Sequence, residues 1–269
     1  MALAPPEAQA ALEPLLAEPG RSAVLCDIDG TLAPIVERPE EAHVSEEIAR
    51  LLARLARRYR LVACISGRRA SEARRLVGVG AIAYAGSHGA ELLLPGGREP
   101  EVAAEFRSWE GRVHRFADSL PARELRLAQI RREDKGPIVA FHWRGARDER
   151  RALTMIEEIE RRATAAGLAV HRGRKVLECR PPIEIGKHRA VRQLVTRFGF
   201  SRALFGGDDA TDIDAFAELE RLRAEGRLEQ VVRVAVRSDE APPDLYRCAD
   251  VVVEGIGGFA SLLRRLAEG

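Results

Sequence analysis

The 269-residue chain contains no asparagine, so it offers no N-glycosylation sequon. Lysine is nearly absent: Lys135, Lys175 and Lys187 stand against an otherwise all-arginine complement of basic residues. Codon bias accounts for the arginine excess, but each remaining lysine points to a place where a compact ammonium is wanted. Cysteine is sparse, and Cys26, Cys64, Cys179 and Cys248 include no CxxC pair. That pattern argues against a disulfide framework or a zinc site and suits a reducing compartment. Charge of one sign is missing as well. The 43 basic and 41 acidic residues nearly cancel to +2, which argues against a nucleic-acid-binding domain. No apolar run approaches the roughly 20 residues a bilayer demands. The opening MALAPPEAQAALEPLLAEPGR carries Glu7, Glu13 and Glu18 without a basic lead, so it reads as a short helix and not as a signal peptide. The expectation is a soluble, cytoplasmic protein with no membrane and no nucleic-acid partner.

Hydrophobic residues make up 46% and charged residues 31%, a globular composition. The length lies near the roughly 250–300 residues at which one core stops growing, so a core with a smaller insert is expected. Ser22–Cys26, Leu61–Ile65 and Ile82–Ala85 are apolar runs of the kind buried on both faces of a parallel sheet. Between them, Ser45–Tyr59 places Ile48, Leu51, Leu52 and Leu55 at helical spacing behind a Ser45 N-cap, and Arg69–Val77 reads as a second helix. This is β-α-β-α-β, the start of a doubly wound sheet. Glu91–Leu94 then reads as a hairpin arm. From about Pro100 to Pro182 the pattern changes to helix, strand, strand, helix, strand, strand. Its helices are Val102–Ser119 and Asp148–Ala166, and its strands lie near Glu124–Ile130, Pro137–His142, Ala169–Arg172 and Lys175–Cys179. The α/β pattern resumes with a helix over Lys187–Phe198, a strand over Ala203–Phe205 and a helix over Asp212–Glu225. Strands at Val231–Val236 and Asp250–Val253 and a helix over Phe259–Ala267 complete it. The expected architecture is α/β: a doubly wound, Rossmann-like parallel-sheet core over 1–97 and 183–269, with an α+β cap inserted over 98–182.

In open α/β sheets ligands bind at the carboxyl ends of the strands. There the sequence places Asp27-Ile28-Asp29-Gly30-Thr31, Ser66-Gly67-Arg68, Gly86-Ser87-His88-Gly89 and Gly207-Asp208-Asp209. Clustered carboxylates need a cation among them, and all-oxygen ligands favour Mg²⁺. The set fits phosphoryl transfer. Asp27 would attack phosphorus, and Asp29 would protonate the leaving alkoxide and then activate water. Thr31 and Ser66 would donate to phosphate oxygens, with Gly30 and Gly67 letting backbone N–H groups approach. Asp27, Asp208 and the Asp29 carbonyl would hold Mg²⁺, with Asp209 and Asp212 supporting it from behind. Lys187 would neutralise the aspartyl-phosphate.

Taken singly these motifs are ordinary turns; in this order, each after a strand, they are not. DIDGT, ISGR, GKHRA and GDDATD together resemble the motifs of the haloacid dehalogenase-like phosphatases. DIDGTLAPIVERPEEA, AGSHGAEL, EDKGPIVAFHWR and KVLECRPP resemble, more closely, the trehalose-6-phosphate phosphatase family. The resemblance implies Mg²⁺-dependent hydrolysis of trehalose 6-phosphate through an aspartyl-phosphate. It also implies functional coupling to a trehalose-6-phosphate synthase and a cap of the C2 type that reads the sugar through Glu133, Lys135 and Glu178. Arg180, His142 and Arg144 follow as further cap candidates. Relatives with similar caps act on sucrose phosphate or on glucosyl- or mannosyl-phosphoglycerate. A catalytically silent sugar-phosphate-binding module is the alternative of another class. The family commonly has an acid where this chain has Ile213, a departure that bears on metal affinity.

Overall fold

The computed structural model describes residues 6–36, 42–173, 175–238 and 241–269. The 37–41 part of DIDGTLAPIVERPEEA lies outside the described residues. The chain divides into two compact units, Met1–Glu101 with Ile185–Gly269 and Val102–Glu184.

The first unit opens with α1 (Pro6–Ala17), β1 (Ser22–Cys26), α2 (Glu46–Leu55), β2 (Leu61–Ile65), α3 (Ala70–Val77) and β3 (Ala83–Gly86). β4 (Glu91–Leu93) and the two-residue β5 (Glu101–Val102) follow. The second unit holds α4 (Ala104–Asp118), α5 (Ala122–Leu127), β6 (Arg131–Asp134), β7 (Val139–His142), α6 (Glu149–Ala165), β8 (Ala169–Gly173) and β9 (Val176–Arg180). The chain then returns with α7 (Lys187–Phe198), β10 (Arg202–Gly207), α8 (Ala210–Ala224), β11 (Gln230–Arg237), α9 (Pro243–Cys248), β12 (Val251–Glu254) and α10 (Gly255–Glu268).

The large sheet has the order β12-β11-β10-β1-β2-β3-β4-β5. Its strands from β12 to β3 are parallel, and β4 turns back antiparallel to β3. The strands bury alternate residues on opposite faces, as the two-residue period requires. On β1, Val24 and Cys26 join the cluster built with Leu12 and Leu15 of α1, Ile48 and Leu52 of α2, and Leu263 of α10. Ala23 and Leu25 join the opposite cluster, with Val191 and Leu194 of α7 and Phe216 and Leu219 of α8. The result is an α/β/α sandwich. The α2 stripe of Ile48, Leu51, Leu52 and Leu55 is buried, each side chain contributing about 1.5–3 kcal/mol. Ser45 caps α2, accepting from Ile48 N–H at 3.3 Å. Successive crossovers run outward from β1 through β2 and β3, and then from β10 through β11 and β12 on the other side. The strand order therefore reverses between β1 and β10, the switch point at which such sheets bind ligands.

The second unit carries a four-stranded antiparallel sheet, β6-β7-β9-β8. Val139, Phe141, Leu177 and Cys179 pack on Val113 and Phe116 of α4 and Ile156 and Ile159 of α6. One expectation is overturned here. Glu124–Ile130 is no strand: Ala122–Leu127 is the helix α5, and the strand begins at Arg131. Its alternating leucines mimic a strand period. Yet Leu125 and Ala128, three apart, are the buried pair, while Leu127 is 51% exposed. α9 also went unforeseen, because six residues opening on Pro243 give too little periodicity to read. Among the described residues no helix is long and apolar enough to cross a membrane.

Candidate active site

The site is built at the carboxyl ends of β1, β10 and β2. The chain leaves β1 at Asp27, whose N–H donates to Gly206 O on β10 at 2.8 Å. It then turns tightly. The N–H groups of Leu32 and Ala33 both donate to Ile28 O at 2.9 Å, and Gly30 N–H donates to Ala33 O at 2.7 Å. Gly30 holds φ +90, and a Cβ there would lie 2.0 Å from Asp208 Oδ2. Only glycine allows both that backbone and that approach.

Three acids converge on one ammonium, and a fourth is buried beside them. Lys187, the first residue of α7, is 2% exposed. Its Nζ lies 2.8 Å from Asp27 Oδ1, 2.6 Å from Asp212 Oδ1 and 3.7 Å from Asp209 Oδ1. Asp208 is buried beside them, accepting from Thr31 Oγ1 at 3.0 Å and from Ser238 Oγ at 3.4 Å. Asp209 caps α8, and its carboxylate accepts from Thr211 N–H at 2.8 Å and Asp212 N–H at 3.2 Å. Asp212 spends its other oxygen on the N–H groups of Asp208 and Asp209, each at 2.9 Å. One cation does not balance this charge. Burial pushes the Asp27 carboxyl well above its usual range, with Lys187 pulling the other way and the neighbouring acids adding to the rise. Burial likewise takes Asp208 to about 6 and Asp212 to about 7. At Asp209 burial is outweighed by Lys187 and by hydrogen bonds from Thr211, and its carboxyl falls to about 2.

β2 contributes Ser66, which is buried and whose Oγ accepts from Arg68 N–H at 3.1 Å. The Arg68 guanidinium forks onto Asp29, with Nε 2.8 Å from Oδ2 and Nη2 2.7 Å from Oδ1. Both Asp29 carboxylate oxygens are thus engaged by Arg68.

The second unit gathers its own polar set. Across its sheet, Glu133 pairs with Ala140, Ala140 with Glu178, and Glu178 with His171. Residues directly opposite one another share a face, so these side chains stand on the face away from the helices, with the small Ala140 between the two acids. Lys135 Nζ lies 3.0 Å from Glu178 Oε1, and Arg180 Nε donates to Glu178 Oε2 at 2.9 Å. His142 Nε2 sits against Glu133 Oε2. Although burial works against it, His142 and Lys135 hold the Glu133 carboxyl below its usual range.

With this geometry established, comparison with known proteins decides the family. A family model described as trehalose-phosphatase matches residues 25–250. The chain belongs to that family. It is similar to a trehalose 6-phosphate phosphatase of Zea mays, 33% identical over 81% of this chain and 65% of that protein's length. A probable trehalose-phosphate phosphatase of Oryza sativa is 32% identical over 91% of this chain and 70% of its own. An uncharacterized glycosyl hydrolase of Mycobacterium tuberculosis is 39% identical, but over 73% of this chain and only 15% of that protein. The chain therefore spans 15% of the mycobacterial relative and between 55% and 70% of the plant ones. In fold it is similar to the C-terminal domain of the Candida albicans trehalose-6-phosphate phosphatase. That similarity has a TM-score of 0.74 at 22% identity and covers 100% of this chain and 98% of that one.

The structure brings Asp27, Asp208, Asp209, Asp212 and Lys187 together, and places Glu133, Lys135, Glu178 and Arg180 on one sheet face of the second unit. The Thr31 hydroxyl, read as a phosphate donor, donates to Asp208 Oδ1 at 3.0 Å. Ser238 was missed by sequence reasoning; it lies at the end of β11, 30 residues beyond Asp208, with no motif around it. Arg68 was visible in ISGR, but its fork onto Asp29 was not.

Proposed function

We propose that this chain is a Mg²⁺-dependent phosphatase that hydrolyses trehalose 6-phosphate to trehalose and phosphate. The observation that carries the reading is the buried group of Asp27, Asp208 and Asp212 against a single ammonium. Its donors are all carboxylate oxygens within reach of one another, a set that fits a hard divalent cation. Asp27 and Asp208, with the Asp29 carbonyl, would hold the ion. Both Asp212 oxygens are already occupied by Lys187 and two N–H groups, which supports a bracing role for it. When bound, the ion offsets the charge of phosphate and carboxylates so that the two anions can meet.

The residues divide the work as follows. Lys187 holds Asp27 Oδ1, leaving Oδ2 to attack phosphorus. The Asp27–phosphorus bond forms as the bond to sugar O6 breaks, and a proton passes from Asp29 to that oxygen. Water then attacks phosphorus, Asp29 takes its proton and the Asp27 carboxylate is released. The Arg68 fork matches the ionised Asp29 of this second half; for the first half the fork must open. Ser66 and the backbone N–H groups around Gly67 orient the phosphate. Glu133, Lys135, Glu178 and Arg180 present charged hydrogen-bonding groups suited to sugar hydroxyls. The coupling of this activity to a synthase belongs to the same reading.

The test is phosphate release from a panel of sugar phosphates with Mg²⁺ and with EDTA. Expected is a kcat/KM for trehalose 6-phosphate at least about 100-fold above sucrose phosphate and glucosylphosphoglycerate, abolished by EDTA. A preference for another sugar phosphate keeps the core chemistry and removes the sugar assignment. Tight binding without turnover supports the silent module.

Thr31 gives a finer prediction. Thr31→Val keeps the shape and removes the bond to Asp208. Titration of activity with Mg²⁺ is expected to show the half-saturating concentration raised about 10-fold or more, as for other groups that orient metal ligands. Thr31→Ser is expected to stay within about threefold of the parent.

A further inference from the structure

Glu91 has no exposed surface and no part in the chemistry above. It opens β4, directly opposite Gly86, the last residue of β3. A carboxylate in such a place is costly unless cations and N–H groups meet it. Two groups that do so lie at the start of α3. Ala70 N–H donates to Glu91 Oε2 at 2.9 Å, and Arg69 Nε lies 3.3 Å from Oε1. α3 has no cap of its own, because Arg69 occupies the N-cap position and its side chain cannot accept a hydrogen bond. Glu91 provides that acceptor from 21 residues away, where the helix dipole also favours a negative charge.

The same corner grips the preceding loop. Ser87 N–H donates to Arg68 O at 2.7 Å, and His88 N–H donates to Ser66 O at 3.1 Å. Ser87 and His88 hold φ +49 and +55, a conformation that non-glycine residues keep only where their surroundings enforce it. A Cβ on Gly86 would lie 2.1 Å from Ala70 N, so helix and strand already touch. The segment 66–70 is thus pinned at both ends. It carries Ser66, and it carries Arg68, whose guanidinium forks onto Asp29.

We propose that Glu91 is a positioning residue of the phosphoryl-transfer site. Its buried carboxylate fixes the first turn of α3, and thereby sets the placement of Ser66, of Arg68 and, through Arg68, of Asp29. The inference rests on the phosphatase reading. Displacing a catalytic group by about 1 Å can cost about 100-fold in rate, so an anchor this close to the chemistry affects kcat more than binding.

The experiment compares Glu91→Ala, Glu91→Gln, Arg68→Met and the Glu91→Ala/Arg68→Met double variant with the parent. It measures kcat, KM and thermal midpoints, with both trehalose 6-phosphate and p-nitrophenyl phosphate. Glu91→Ala is expected to lower kcat about 10- to 100-fold with KM within about threefold. Glu91→Gln keeps an oxygen acceptor for Ala70 N–H and is expected to recover kcat to within about fivefold of the parent. The double variant is expected to be no more than about threefold slower than the slower single one, because both substitutions disturb the same group. A folded Glu91→Ala with parental kcat overturns the proposal, and so does a fully multiplicative loss in the double variant, which is what a merely structural role gives. If Glu91→Ala does not fold, the cycle is built on Glu91→Met, which fills the site without an acceptor for Ala70 N–H, with the same criterion. A parent that releases phosphate from neither substrate fails the phosphatase reading itself, and the inference falls with it. Parental rates in Glu91 variants of an active parent fail the inference alone.

Discussion

Asp27→Asn is expected to abolish phosphate release, with kcat reduced about 10⁴-fold or more, while the protein stays folded with a thermal midpoint equal to or above the parent's. The loss of rate follows from chemistry: an amide nitrogen or carbonyl cannot replace a carboxylate oxygen as the attacking atom. The stability expectation follows from the environment. Burial disfavours the charged carboxyl at Asp27 more than Lys187 favours it, which is why its proton affinity rises. A neutral side chain of the same shape escapes that penalty. Lys187 keeps a partner in Asp212 at 2.6 Å, so no buried ammonium is stranded. Active sites often store strain of this kind, and relieving it trades activity for stability. The measurement is single-turnover phosphate release beside a thermal melt, both without added metal and with Mg²⁺. Turnover at the parental rate removes Asp27 as nucleophile. A midpoint several degrees lower shows that the Lys187 contact outweighs burial.

The core of this site was legible because its residues sit where a strand stops. SAVLC-D, LVACI-S and ALFGG-D each announce a buried strand and the first polar residue after it, and the β1/β10 reversal places two of these ends side by side. What could not be read is which partner a polar side chain takes across space. Thr31 and Asp208 are 177 residues apart, and their hydrogen bond depends on the register of β1 with β10. The same holds for Arg68 with Asp29, and for Glu91 with Ala70, where the glutamate that opens the Glu91–Leu94 arm is fully buried. In the second unit, alternation misled at Leu125 and Leu127, because six residues do not separate a helical from a strand period. The gathering of Glu133, Lys135 and Glu178 on one sheet face followed from strand pairing that no single segment reveals.

Lys187→Met is expected to damage stability more than any of the other substitutions, and to lower activity as well. Lys187 is buried among Asp27, Asp209 and Asp212, and methionine fills much of its volume without its charge. Removing one partner from a buried ionic cluster leaves the others uncompensated, at a cost of about 3–5 kcal/mol. The rate falls as well, because nothing then offsets the Asp27 carboxylate as it approaches a phosphate dianion. The pH dependence of the variant separates this account from simple loss of packing. Asp208 and Asp212 already have folded-state carboxyls raised to about 6 and about 7, against about 4 in an unfolded chain. A group raised on folding binds more protons in the native state, so the stability it lends is full below about pH 4 and is lost as pH rises toward its folded value. Losing Lys187 raises these groups further and extends that window upward. Denaturant melts of the metal-free proteins are therefore expected to show Lys187→Met recovering much of its deficit between pH 8 and pH 5, with the parent changing less over the same range. A deficit that is independent of pH would assign the damage to packing, and would take from Lys187 its role as the counter-charge of the acidic cluster.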